Sequence, residues 1–121
     1  MNVYCGIVSV IKIWFAEESM IFHITSQHDY ESCEGSREQR GETVPPRSER
    51  QRWVEGNDKV KVLSAYGYQT QHRYYAIVEA DDYADVQALF SAAGHIRAGE
   101  VEVIPVNDAI AKRKEFGEWG K

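Results

Sequence analysis

At 121 residues, with 43% apolar and 12% aromatic side chains, the chain has the size of one domain and enough apolar surface to close a single core. Its 14 Lys and Arg stand against 19 Asp and Glu, and the net charge of -5 repels phosphate backbones and anionic lipid, so neither nucleic acid nor a membrane surface is an expected partner. The 2 cysteines, Cys5 and Cys33, are too few for a disulfide framework and point to a reducing cytoplasm.

Residues 1–19 are expected to be a non-native N-terminal extension. The apolar run from Val3 to Phe15 is too short to span a bilayer, carries Lys12, and lacks the basic start and small-residue cleavage site of a signal peptide. Ordered patterning begins at Met20, and Glu17-Glu18, if encoded GAG GAG, spell a purine-rich ribosome-binding site just ahead of a start codon there. The alternative is a genuine extra strand or arm over Ile7 to Phe15, which is rich in β-branched residues and would need burial against the sheet or a second subunit.

Residues 20–107 read as one domain. Met20 to Gln27 alternates, with Phe22 and Ile24 on one face and His23 and Thr25 on the other, which predicts a first strand. Residues 28–44 are polar and glycine-punctuated and predict a long loop. Pro45-Pro46 opens a predicted helix that Gly56 and Asn57 stop, anchored only by Trp53 and Val54. The arginines and glutamates interleaved from Arg37 to Arg52 read as a solvated surface. Lys59 to Tyr68 and His72 to Ala80 form a predicted antiparallel hairpin across a turn near Gln69 to Gln71.

Asp81-Asp82 cap a helix that carries Val86, Leu89 and Phe90 on one stripe and ends at Gly94. His95, between Gly94 and Gly99, reads as a solvated loop histidine. Glu100 to Val106 is the last strand, with Pro105 requiring a strand end or an edge. Residues 108–121 form a tail or a short helix capped by Asn107 or Asp108, with Ile110, Phe116 and Trp119 available for docking.

The order β-α-β-β-α-β is the ferredoxin-like α+β plan, an antiparallel sheet with helices on one face. The other face needs a cover, and a homodimer supplies one. The stretches MIFHIT, RWVE before VKVL, HRYYAIVEADD and VEVIPV also resemble a family of short bacterial and archaeal domains of unknown function. That family is similar to the dimeric α+β barrel superfamily of muconolactone isomerases and cofactor-free antibiotic-biosynthesis monooxygenases. The resemblance covers residues 20–108. It implies a dimeric α+β barrel with an internal pocket, and fold alone assigns no chemistry.

Three groups of residues are candidates for function. With the first and third strands as parallel neighbours, His23 and His72 come to one end of the sheet. Together with Cys33, and with His28 leaving from the opposite end, they offer imidazole and thiolate ligands for a divalent metal such as zinc. The plainer reading makes all four ordinary strand or loop residues, because His-x4-His-x4-Cys is not a recognised zinc pattern.

Second, His23 and Glu102 on neighbouring strands would make a proton-transfer pair, or a cross-strand contact at a dimer interface. Third, Thr25 with Tyr66, Tyr74 and Tyr75 would line an aromatic pocket, although consecutive Tyr74 and Tyr75 must point to opposite faces. Tyr68 belongs to the same cluster.

The expected function is therefore small-molecule binding, or cofactor-free isomerase-like or monooxygenase-like proton transfer, inside a dimeric barrel. A non-catalytic self-association module and a metal-binding protein are the alternatives. No cofactor is expected beyond that metal.

Overall fold

The structure, a computed structural model, describes residues 19–121. The expected extension, apart from Ser19, and its alternative strand over Ile7 to Phe15 lie outside the described residues. The protein is α+β. Strands β1 (Met20–His28), β2 (Val60–Tyr68), β3 (Arg73–Ala80) and β4 (Gly99–Val106) form an open sheet of order β2-β3-β1-β4, and every neighbouring pair is antiparallel.

The period-2 alternation does what it predicts. Phe22, Ile24, Ala76 and Val78 turn to one face and are buried with Val60, and Val101 and Val103 pack against them. Helix α2 (Tyr83–Ala92) covers that face with Val86, Leu89 and Phe90. Its N-terminus is capped as expected, Asp82 accepting from the Ala84 N–H at 3.0 Å. Pro105 falls near the end of edge strand β4, where a missing donor costs nothing.

Four local expectations are corrected. The first and third strands are antiparallel, not parallel, because β1 and β3 run Met20 opposite Ala80 to Gln27 opposite Arg73. The polar loop contains a short helix, α1 (Glu34–Gln39), which buries no residue. The predicted helix after Pro46 is two 3-10 turns, Arg47–Glu49 and Arg52–Glu55. Between them Arg50 is extended and Gln51 is left-handed at φ 56, so no continuous ladder forms and only Trp53 reaches the core.

The fourth correction concerns His95. Gly94 ends α2 in the left-handed region at φ 83, and the chain at once makes another helical turn, α3 (His95–Ala98), which lays the imidazole against the sheet. His95 Nδ1 and Ser26 Oγ are 2.8 Å apart, and Ser26 is only 2% exposed. This histidine is a packed residue, not a solvated one.

After β4, helix α4 (Ala109–Glu115) is capped by Asp108, which accepts from the Ala111 N–H at 2.9 Å. Ile110, Phe116 and Trp119 stay exposed. No helix among the described residues is long and apolar enough to cross a membrane.

Candidate metal centre

Because β1 and β3 are antiparallel, the end of β1 lies beside the start of β3. The His28 N–H donates to the His72 carbonyl at 3.1 Å, and the two rings meet edge to face with centroids 5.2 Å apart. Directly after β1 the chain folds back on itself. Asp29 Oδ1 accepts from the Ser32 N–H at 2.7 Å and the Asp29 carbonyl accepts from the Cys33 N–H at 3.1 Å, an Asx turn that returns Cys33 to the strand end.

The returning loop is tied down from α1. Arg40 donates to the Tyr30 carbonyl at 3.3 Å and to the Glu31 carbonyl at 3.0 Å. The same arginine pairs with Glu42 at 2.8 Å, and Arg50 pairs with Glu38 at 2.5 Å. Such exposed pairs add little stability each, but together they fix where the loop lies. The interleaved charges thus staple the segment that carries Cys33.

His72 is delivered differently. It follows the 3-10 turn Gln69–Gln71 in the left-handed conformation, φ 55 and ψ 44, which is uncommon for a side chain of this size. Gln27 holds that turn. Its amide nitrogen donates to the carbonyls of Gln71 and, at 3.4 Å, His72, while its carbonyl oxygen accepts from Arg73 Nε at 2.7 Å.

The outcome is a group of His28, Cys33 and His72, all half-buried, with one ligand atom from each lying within 4.8 Å of the others. Zinc bonds of about 2.0–2.3 Å set tetrahedral ligand atoms ~3.3–3.6 Å apart, so side-chain rotations on the order of 1 Å close the group on an ion. Burial, and next the charge of His72, lower the pKa of His28. Both effects favour the neutral imidazole that ligates a metal.

Behind the group lies an aromatic wall. Tyr74 stacks on His28 with centroids 6.2 Å apart and meets Trp53 edge-on at 6.0 Å. The Tyr74 hydroxyl accepts from the Gln51 amide, and burial, followed by Cys33 and Glu34, raises its pKa. His95 sits further in, 5.4 Å from Trp53 and 5.5 Å from Phe90 between ring centroids. Burial, with a smaller contribution from His28, pushes its pKa down to about 4.

The family model of a domain of unknown function, DUF3303, matches residues 20–119. The chain belongs to this family. No curated protein and no solved structure matches it.

Within the DUF3303 domain the expected site residues separate onto two faces. His72 and Cys33 do come together, but with His28 in place of His23. His23 projects from the opposite face, across from Ile77 and Ile104 and 6.4 Å from the Tyr75 ring. Glu102 stands opposite Thr25, not His23, and no hydrogen bond joins His23 to Glu102 among the described residues. Tyr66 pairs with Tyr75 on this face, which no described residue covers, whereas Tyr74 faces the core, so the pocket tyrosines divide as the pleat requires.

The position of His28 beside His72 was readable from one signal. In the ferredoxin-like plan the inner strands are antiparallel, which places the residue ending β1 next to the residue opening β3. The packed role of His95 had no signal in the sequence, because it depends on α3 folding back over Ser26.

Proposed function

We propose that this protein binds a divalent transition metal of the zinc class through His28, Cys33 and His72. The observation that carries the proposal is the convergence of two imidazoles and a thiol, within 4.8 Å, from three chain segments. Two nitrogens and one sulfur suit zinc and its borderline neighbours better than calcium or magnesium, which take oxygen. Elemental analysis of protein prepared without a histidine tag, followed by zinc titration of the chelator-treated protein, tests the proposal. Stoichiometric zinc per chain is the expected result, and no retained or titratable metal would sink it.

A second reading is favoured by the other face. Tyr66 is 71% exposed and Ile104 40%, and among the described residues nothing covers these side chains or their neighbours Tyr68 and Val106. A second copy laid on this face would give the dimeric α+β barrel that the sequence resembles, and the sheet order β2-β3-β1-β4 supports the ferredoxin-like half of that reading. Proton transfer by His23 and Glu102 would then occur inside the dimer. It has weaker support, since the two side chains share a face without sharing a hydrogen bond. Light scattering across a concentration series decides the assembly, and a strict monomer removes this second reading.

A further inference from the structure

We infer that the metal held by His28, Cys33 and His72 keeps one coordination position open to solvent, and that this position takes water or a small monodentate anion. The inference rests on the metal-binding reading and specifies what that site does.

Closed structural zinc sites use four protein ligands, whereas catalytic sites use three and leave the fourth to water or substrate. Among the described residues the group has three members and no fourth His, Cys, Asp or Glu joins it. The carboxylates nearest in sequence do not complete it. Asp29 and Glu34 are close enough to act on the charge of His28, yet neither joins the ligand group, and Asp29 is engaged by the Ser32 N–H.

Access follows from burial. All three ligand residues are half-buried, so the cluster sits at the rim of the sheet and not inside the core. The rim beside His72 is formed by Tyr30, an exposed ring whose centroid is 6.4 Å from that of the imidazole, with the Arg40 guanidinium 4.7 Å above it.

Charge selects the ligand. Two neutral imidazoles and one thiolate around a divalent ion leave one net positive charge, which an anion or a metal-bound hydroxide neutralises. A metal in this setting lowers the pKa of its bound water toward neutrality, which is what distinguishes a reactive centre from a folding clip.

Cobalt(II) replacement in the full chain tests this directly. The chelator-treated protein is titrated with cobalt, and azide is then added while the visible spectrum is followed. A thiolate-to-cobalt charge-transfer band with tetrahedral d–d bands that shift in a saturable way with azide is the expected result. Cobalt bands that azide leaves unchanged overturn the open position while leaving metal binding intact, and would mean that the chain closes the site with a fourth ligand. The absence of any cobalt spectrum overturns both.

Discussion

The backbone N–H of His28 donates to the carbonyl of His72 at 3.1 Å, so two histidines far apart in the sequence become neighbours. The bond lies one step beyond the antiparallel β1–β3 ladder, which ends at Gln27 opposite Arg73, so the sheet sets the approach of the two histidines. A site placed on paired strands is held more firmly than one placed on loops alone.

His72→Ala is expected to weaken zinc binding by at least the roughly 10–100-fold that loss of a mere outer-shell partner costs. His28→Ala and Cys33→Ser should do the same. His23→Ala should leave zinc affinity unchanged, because His23 lies on the other face of the sheet. Competition against a chromophoric chelator measures all four, and equal losses for His23→Ala and His28→Ala would contradict the site.

Stability is expected to fall on mild acidification. The pKa of His95 is depressed in the folded state from 6.5 to about 4, so between those values the unfolded chain binds a proton that the folded chain refuses. The contribution of neutral His95 is complete above pH 6.5, declines as pH falls, and is gone near pH 4. The full loss is on the order of 3 kcal/mol. Urea unfolding midpoints at a series of pH values check this, and His95→Gln should flatten that part of the profile.

Gly99→Ala should both destabilise the fold and loosen the proposed metal centre. Gly99 stands opposite His28 in the β1–β4 ladder, and a Cβ there would run into the carbonyl of Gln27. The backbone at Gly99 is extended, at φ 176, so the constraint is space and not dihedral strain. Relieving the clash means moving β4 away from β1, at a cost of about 1–3 kcal/mol. Thermal unfolding and zinc titration of the variant report the two effects.

Ile104→Asp tests the uncovered face. The side chain is outside the core, so the fold should persist with a loss of stability on the order of 1 kcal/mol, the span between a good and a poor strand residue. If a second copy covers this face, the charge weakens self-association severely, and sedimentation will show the shift toward monomer. An unchanged oligomeric state with an intact far-UV spectrum argues that the face serves another purpose.

Much of the fold was legible in local chemistry. Alternation of Phe22 and Ile24 with His23 and Thr25 marked β1 and its buried face, and Asp82 marked the start of α2, because pleat and cap are set by neighbours within a few residues. The stretch from Pro46 to Glu55 carries the sequence marks of a helix yet forms 3-10 turns around Trp53. A single buried anchor cannot stabilise repeated turns, and Gln51 takes a left-handed conformation that local propensity does not forecast.

The sequence by itself determined the inventory: four strands, a polar connection rich in paired charges, and imidazoles and a thiol placed near strand ends. Only the tertiary structure decided which of them meet. Strand direction swaps His28 for His23 beside His72, the Asx turn at Asp29 brings Cys33 back, and α3 folds His95 onto Ser26. Each of these depends on contacts between residues far apart in the chain, and side-chain periodicity records which face a residue occupies but not which strand end lies next to it.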